Sequence, residues 1–250
     1  MNTKKLTTLS VAAVMAAQIA MPMASMAQTA GVTATTPTNG IKFCTNLSSL
    51  STKLDERVAN LQTKVAQAAL VAAANRAKSD ATLAATRAKA DAARSDRYGK
   101  LTLKASTDAQ KQAVATFKST IETAVTARKA AVDAAIAAYR TGVDQVIASH
   151  KTSITTALST FVTADKAAIT TAQASCASNT DPKTVRTAMQ ANVKTAKTQF
   201  ATDRASIVKL SVDIAPLATT RKAAVAKAMA DFKTSADAAR VSLKAAFATK

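Results

Sequence analysis

The chain has 250 residues, a formal net charge of +19, no Trp, two Tyr, and only four Gly and four Pro. A β-sandwich or β-barrel needs a turn about every eight to twelve residues, so a chain with so few turn-forming residues excludes both. Alanine and threonine dominate the composition. Alanine favours helix, whereas the branched side chain of threonine does not. We therefore expect a few very long helices that depend on packing against each other.

Residues 1–27 have the pattern of a cleaved secretory signal peptide. Lys4 and Lys5 precede an apolar run over residues 6–20, Pro22 ends that run, and small residues lead up to Ala27. The alternative is an uncleaved membrane anchor, but a run of about fifteen residues is shorter than the roughly 20 that span a bilayer. Without the two leader lysines, 32 basic and 15 acidic residues leave a mature charge of +17. The pattern predicts export by a bacterium to the periplasm, the cell surface or the medium.

Residues 28–45 are predicted to form a flexible linker, because Thr, Ala, Gly and Pro occur there without periodicity. Residues 46–250 are predicted to form one elongated bundle. Its first helix can begin anywhere between Asn46 and Thr52, and Gly99 is expected to end it. Pro182 is expected to open the third helix and Pro216 to kink it. The three predicted helices span about residues 52–98, 107–177 and 182–248.

Large aliphatic residues recur at intervals of eleven through the second predicted helix. One row starts at Val114, and a second starts at Ile121 and ends in Asp165 and Cys176. The first row continues through Val125, Ile136, Ile147, Leu158 and Ile169. A spacing of eleven corresponds to about 3.67 residues per turn, so the apolar stripe stays nearly straight along one helix. Since short connections make neighbouring helices antiparallel, the fold class is all-α: a long antiparallel three-helix coiled bundle, up-down-up, with eleven-residue apolar phase.

The two cysteines, Cys44 and Cys176, predict a disulfide in an exported chain. If the first two helices fold back about residue 101, Cys176 overshoots the position opposite Cys44 by roughly 27 Å. An intramolecular bond therefore predicts a late helix start at Thr52, with residues 44–51 extended. An early start predicts a bend at Gly142 or an intermolecular bond, and free thiols are the remaining alternative.

No catalytic, cofactor-binding or metal-binding constellation is present in the sequence, and the chain is predicted not to be an enzyme. It lacks a glycine-rich phosphate loop, a Gly-x-Ser-x-Gly elbow and a His-Glu-x-x-His helix. His150, the only histidine, is expected to pack among aromatic residues rather than to bind a metal. The acidic residues occur singly, mostly three or four positions from a basic residue, which predicts weak intrahelical pairs on a solvated face.

Basic residues crowd the end of the first predicted helix, around Tyr98 and Gly99. Such charge attracts anionic polymers or membrane surfaces, and the alternative is a cationic surface without a dedicated ligand. Aromatic side chains for base stacking are not interleaved with these residues, which argues against sequence-specific nucleic-acid binding. The candidate anion contacts are Arg87, Lys89, Arg94, Arg97, Lys100 and Lys104.

These patterns predict an exported, non-enzymatic structural or interaction protein of the bacterial cell envelope or surface. Its expected partners are an anionic envelope polymer or membrane surface, a protein partner, or a second copy of itself. One alternative is an amphipathic binder of membrane surfaces, because helices with eleven-residue phase and basic edges can lie on lipid. Another is a periplasmic holdase-type chaperone, to which the chain is similar only in its overall composition.

Overall fold

A computed structural model describes residues 38–248 of the chain. The predicted signal peptide and residues 28–37 of the predicted linker lie outside the described residues. Residues 38–248 contain four α-helices and no strand, so the predicted all-α three-helix bundle is confirmed, with the last two helices replacing the third predicted one. The helices are α1 (Thr38–Lys104), α2 (Asp108–Ala177), α3 (Pro182–Ser206) and α4 (Leu210–Ala248).

The helices pack into two compact units, each of which is a bundle of three helical segments. Within the described chain, unit 1 comprises residues 38–72 and 146–212, and unit 2 comprises residues 73–145 and 213–248. Helices α1 and α2 run antiparallel and contribute to both units. Helix α3 belongs to unit 1, and α4 from residue 213 onward belongs to unit 2.

Two clusters of apolar side chains hold unit 1 together. In the first, Leu54 of α1 packs with Phe161 of α2 and Phe200 of α3, and the two ring centroids lie 5.4 Å apart. In the second, Leu47 packs with Ile169 of the predicted apolar row. Leu47 and Leu54 are completely buried, and burial of a leucine side chain contributes about 1.5–3 kcal/mol. Residues 47–54 of α1 therefore contribute to the core of unit 1.

Unit 2 has a core in which alanines supply much of the contact surface. Tyr98 of α1 packs with Val125 of α2 and with Ala236 and Ala239 of α4. The Tyr98 ring meets Phe117 edge-on, with centroids 6.3 Å apart. Because an alanine presents only a methyl group, the helices can approach closely, but each contact buries little apolar area.

Helix α1 does not end at Gly99, as the sequence predicted, but continues to Lys104. No described glycine has a positive φ, so Gly99 is an ordinary helical residue. The turn is set further on, by a capping box at the start of α2. There the Gln110 backbone N–H donates to Thr107 Oγ1 at 3.2 Å, and Gln110 Oε1 accepts from the Thr107 N–H at 3.4 Å and from the Ser106 N–H at 3.0 Å.

We expect the substitution Gly99→Ala to stabilise unit 2 by about 0.5–1 kcal/mol, because alanine has the higher helix propensity and restricts the unfolded chain. Apart from its chain neighbours and the backbone of its own helix, no atom of the described residues lies within 4 Å of a Cβ at this position. Urea unfolding followed by circular dichroism measures the difference. If Gly99 ended the helix with a positive φ, the substitution by alanine would lower the stability instead. A destabilised variant would therefore contradict the observed helix end.

The third predicted helix breaks between Ser206 and Leu210 instead of kinking near Pro216. Ile207 has extended backbone angles, with φ −79° and ψ 118°, and Pro216 lies inside the new helix α4. A proline ring clashes with the turn before it and removes one hydrogen bond to that turn. The new helix begins at Leu210, so Pro216 lies six residues into it, and the hydrogen bond that its missing N–H cannot donate would have reached Val212.

Cys44 and Cys176 form an intramolecular disulfide, with Cα atoms 5.9 Å apart, across a separation of 132 residues. The late helix start expected from this bond is wrong, because α1 begins at Thr38. Residues 38–45 are accordingly helical rather than linker. The reason lies in the fold-back point. The midpoint of 44 and 176 is residue 110, as is that of the contacting pair Arg76 and Asp144, whereas we expected a fold about residue 101.

Candidate interaction surface

In unit 2, helix α1 places its basic side chains on two different faces. Arg76, Arg87 and Arg94 lie on the side that contacts α2 and are partly buried. A second group lies within an arc of about 80° on the other side, roughly opposite the buried Tyr98, if each residue turns the helix by about 100°. We call this exposed group the basic face; it consists of Lys89, Arg97, Lys100 and Lys104.

Five ion pairs join α1 to α2 in unit 2, and we call the four that repeat at a shared spacing the charge ladder. Its three arginines each donate two hydrogen bonds to the facing carboxylate, a geometry that the planar guanidinium favours. Lys129 donates one hydrogen bond, at 2.7 Å. In order along α1, the pairs are Arg76–Asp144, Asp80–Arg140, Arg87–Asp133 and Asp91–Lys129.

The charge ladder follows from a spacing that both helices share. Helix α1 carries a basic residue followed four positions later by Asp at residues 76–80 and again at 87–91. Helix α2 carries the same pattern at residues 129–133 and 140–144. The two copies on each helix lie eleven residues apart. Because the helices are antiparallel, the base of one copy meets the acid of the facing copy at every step.

Arg94 extends the charge ladder towards the end of α1. Its guanidinium donates to Glu122 from Nε at 2.7 Å and from Nη2 at 3.2 Å, and also to Asp91 at 2.8 Å. With a side-chain exposure of 17%, Arg94 is the least exposed cation among the ion pairs of the described chain. Its hydrogen bonds hold the pKa of Glu122 below the ordinary value. Burial, and then the neighbouring Glu122, raises the pKa of Tyr98 to about 12.

All four aspartates of the charge ladder are ionised at neutral pH. Hydrogen bonds from the facing arginines lower the pKa of Asp80, Asp133 and Asp144, and Lys129 is the largest cause of the lowered pKa of Asp91. A lowered pKa in the folded state contributes stability above the unfolded pKa of about 4, and this stability is lost as the pH falls below it. Each pair is partly exposed, so screening by solvent keeps its individual contribution small.

The predicted anion contacts fall into three groups. Arg87 and Arg94 are hydrogen-bonded to acidic side chains of α2. Lys100 pairs with Asp96 at 2.8 Å, and both side chains remain largely exposed. The other three predicted contacts are exposed and have no acidic partner within residues 38–248: Lys89, Arg97 and Lys104.

The acidic residues are only partly the weak intrahelical pairs that the sequence analysis expected. Such pairs do occur, for example Lys227–Asp231 in α4. The carboxylates of the charge ladder, in contrast, reach across to another helix, as Asp55 does to Lys166 in unit 1. The shared spacing of base and acid on α1 and α2 was the sequence signal for this arrangement.

The part of the chain that the structure covers contains no group of three or more His, Cys, Asp or Glu side chains placed to hold a metal ion. His150 is half-buried on α2. None of the described helices combines the length and apolar character that a bilayer span requires.

Comparison with known proteins adds no assignment: no protein-family model, no curated protein sequence and no solved structure matches the chain.

Proposed function

We propose that this protein is an exported, non-enzymatic interaction protein of the bacterial envelope that binds an anionic polymer through the basic face of α1. The observation that carries the proposal is the separation of charge on this helix. The inward arginines are hydrogen-bonded to carboxylates of α2, whereas Lys89, Arg97 and Lys104 are exposed without an acidic partner among the described residues. The unneutralised charge is thereby concentrated on the side away from the core.

This arrangement suits a polyanion better than a small ligand. Three unpaired cations on one exposed face form no concave site, but they follow the helix axis over fifteen residues, or about 22 Å. A linear polymer of phosphates can contact such a row and release its counterions on binding. The predicted mature charge of +17, from 32 basic and 15 acidic residues, adds a long-range attraction for the same partners.

The test is binding of fluorescently labelled inorganic polyphosphate to the full chain, measured by anisotropy at several salt concentrations. We expect the triple variant Lys89→Gln, Arg97→Gln, Lys104→Gln to bind about tenfold more weakly at low salt and to show a shallower salt dependence. These side chains are exposed, so helicity should not change. Arg94 is left intact because its loss would disturb the packing of α1 on α2.

The matched control removes the same charge from α1 within unit 1, by Lys53→Gln, Arg57→Gln and Lys64→Gln. These three side chains are also exposed and have no acidic partner among the described residues. If this control keeps its affinity for polyphosphate and the first variant loses it, the result supports binding through the basic face. Equal loss in both variants would mean that net charge alone attracts the polymer, and the proposed face would be rejected.

A membrane surface is the second candidate, and one side chain favours it. Leu103 is 89% exposed and lies between Lys100 and Lys104 in the last turn of α1. An apolar side chain flanked by lysines suits the interface of an anionic bilayer. The test is binding to phosphatidylglycerol vesicles. If Leu103→Gln weakens this binding and leaves polyphosphate binding unchanged, the end of α1 is assigned to lipid.

A further inference from the structure

Unit 1 contains a cavity of about 70 Å³ between its three helices. Three buried residues of α2, Phe161, Asp165 and Ile169, form its floor at successive turns. The rim comes from α1 and α3 and includes Leu50, Met189 and Lys197, all half-buried. The cavity is therefore an apolar recess with one acid in its floor and one base at its rim.

Asp165 stands where the sequence pattern calls for an aliphatic residue. It follows Val143 and Ile154 in a row of the apolar stripe, at the same spacing of eleven. Its exposure is 5%, and its buried Oδ1 atom has no hydrogen-bond partner among the described residues. Buried polar atoms almost always have partners, because an unsatisfied one costs about 1–3 kcal/mol. Asp165 is an exception to this rule and lines a cavity. Its unsatisfied carboxyl therefore points to a binding site, at which the cost in stability is offset by binding a ligand.

Lys197 is the only cation that lines this cavity, and it forms no ion pair with Asp165 within 4 Å. Burial raises the pKa of Asp165, and the charge of Lys197 acts in the opposite direction. Leu50, the α1 side chain at this cavity, is apolar. An acid and a base thus line one small space without forming an ion pair with each other.

We infer that this cavity binds a small zwitterion, whose ammonium group pairs with Asp165 and whose carboxylate faces Lys197. A ligand with only a positive charge would be repelled by Lys197, and a ligand with only a negative charge would be repelled by Asp165. A zwitterion supplies both charges with a partner and adds no net charge to a basic protein. Its short apolar part would lie against Phe161 and Ile169.

The size of the cavity restricts the ligand to a few atoms. One water needs about 10–15 Å³ of such volume, so about 70 Å³ holds five to seven groups of that size. Glycine, β-alanine and 4-aminobutyrate have five to seven non-hydrogen atoms and differ mainly in the separation of their charges. This series therefore measures which separation matches Asp165 and Lys197. The inference does not depend on the proposed function of the basic face, which lies in unit 2.

The experiment uses the positions of the methionines in this chain. Five of the seven lie in the first 27 residues, Met189 lines the cavity, and Met229 lies exposed in unit 2. The full chain is labelled with ¹³C at the methionine methyl groups, and the signals of Met189 and Met229 are identified with Met189→Leu and Met229→Leu. Each amino acid is then titrated into the labelled protein. We expect a saturable shift of the Met189 signal with at least one of the three and no shift of Met229.

Two variants and two control ligands decide the outcome. Asp165→Asn and Lys197→Met should each weaken binding of the zwitterion at least tenfold. Butylammonium and butyrate carry one charge each. The unchanged protein should bind them no more tightly than the two variants bind the zwitterion. Butylammonium binding as tightly as the zwitterion, with Lys197→Met without effect, would reject the zwitterion site. Absence of a saturable shift of Met189 for all three amino acids would reject it as well.

Discussion

Replacement of Cys44 and Cys176 by serine is expected to lower the free energy of unfolding by about 5 kcal/mol. The bond closes a loop across 132 residues, and the chain-entropy model assigns a loop of this length roughly that value. The loss should appear as a lower midpoint in urea or thermal unfolding of the double variant. Because the bond joins the beginning of α1 to the end of α2, unit 1 should lose more stability than unit 2.

The same comparison distinguishes the two ways of pairing the cysteines. The oxidised protein should migrate as a monomer on non-reducing gels, and addition of a reductant should reproduce the unfolding midpoint of the double serine variant. A difference in stability below about 1 kcal/mol would contradict the entropic account. A dimer that disappears on reduction would contradict the intramolecular bond itself.

The second large effect is expected at Asp165. The substitution Asp165→Leu should raise the free energy of unfolding by about 1–3 kcal/mol at neutral pH, because it replaces an unsatisfied buried carboxyl with an aliphatic side chain of the kind the apolar row otherwise carries. Leucine also fills part of the adjoining cavity. Urea unfolding followed by circular dichroism measures the change. A destabilised variant would show that Asp165 makes a favourable interaction in the folded protein.

The pH dependence of this effect has a definite sign. Burial raises the pKa of Asp165 in the folded protein, although Lys197 counteracts part of the rise. A raised carboxyl pKa destabilises the folded state progressively as the pH increases above the unfolded value of about 4. The advantage of Asp165→Leu over the wild type should thus be smaller at pH 4 than at pH 8. An advantage that shrinks as the pH increases would contradict a buried, unpaired carboxyl. Asp165→Asn, which removes the charge and keeps the shape, separates the two contributions.

The periodicity of the sequence was sufficient to predict the fold class. Val114, Val125 and Ile169 of the apolar row are buried as expected, and the second and third predicted helices begin within one residue of their predicted starts, at Asp108 and Pro182. These signals are local or repeat with the helical phase, so they can be interpreted without knowing which helices face each other.

The ends of the helices were less predictable, because they depend on contacts between distant residues. A glycine in a helix permits an end without requiring one, and Gly99 remains helical since the capping box further on forms the turn. The start of α1 depended on the register of α1 against α2. That register brings the facing pairs of the charge ladder together, whereas we expected acids and bases to pair within single helices.

The candidate site was predicted as a set of basic residues but not as a surface. Composition identifies the cluster around Tyr98, yet only the packing of α1 on α2 separates Arg87 and Arg94, which are hydrogen-bonded to carboxylates, from Lys89 and Arg97, which are exposed. The cavity of unit 1 was visible in the sequence only as an acid in an apolar row. Its base, Lys197, comes from another helix, and no local pattern connects the two.

The disulfide also determines how the chain would respond to tension. Force applied between the two chain ends passes from Cys44 directly to Cys176, so the 132 residues of separation between them carry no load. At about 3.4 Å per residue, roughly 450 Å of contour length stays hidden even after every helix has unfolded. Reduction of this one bond releases that length, so the extensibility of the protein depends on the redox potential of its surroundings.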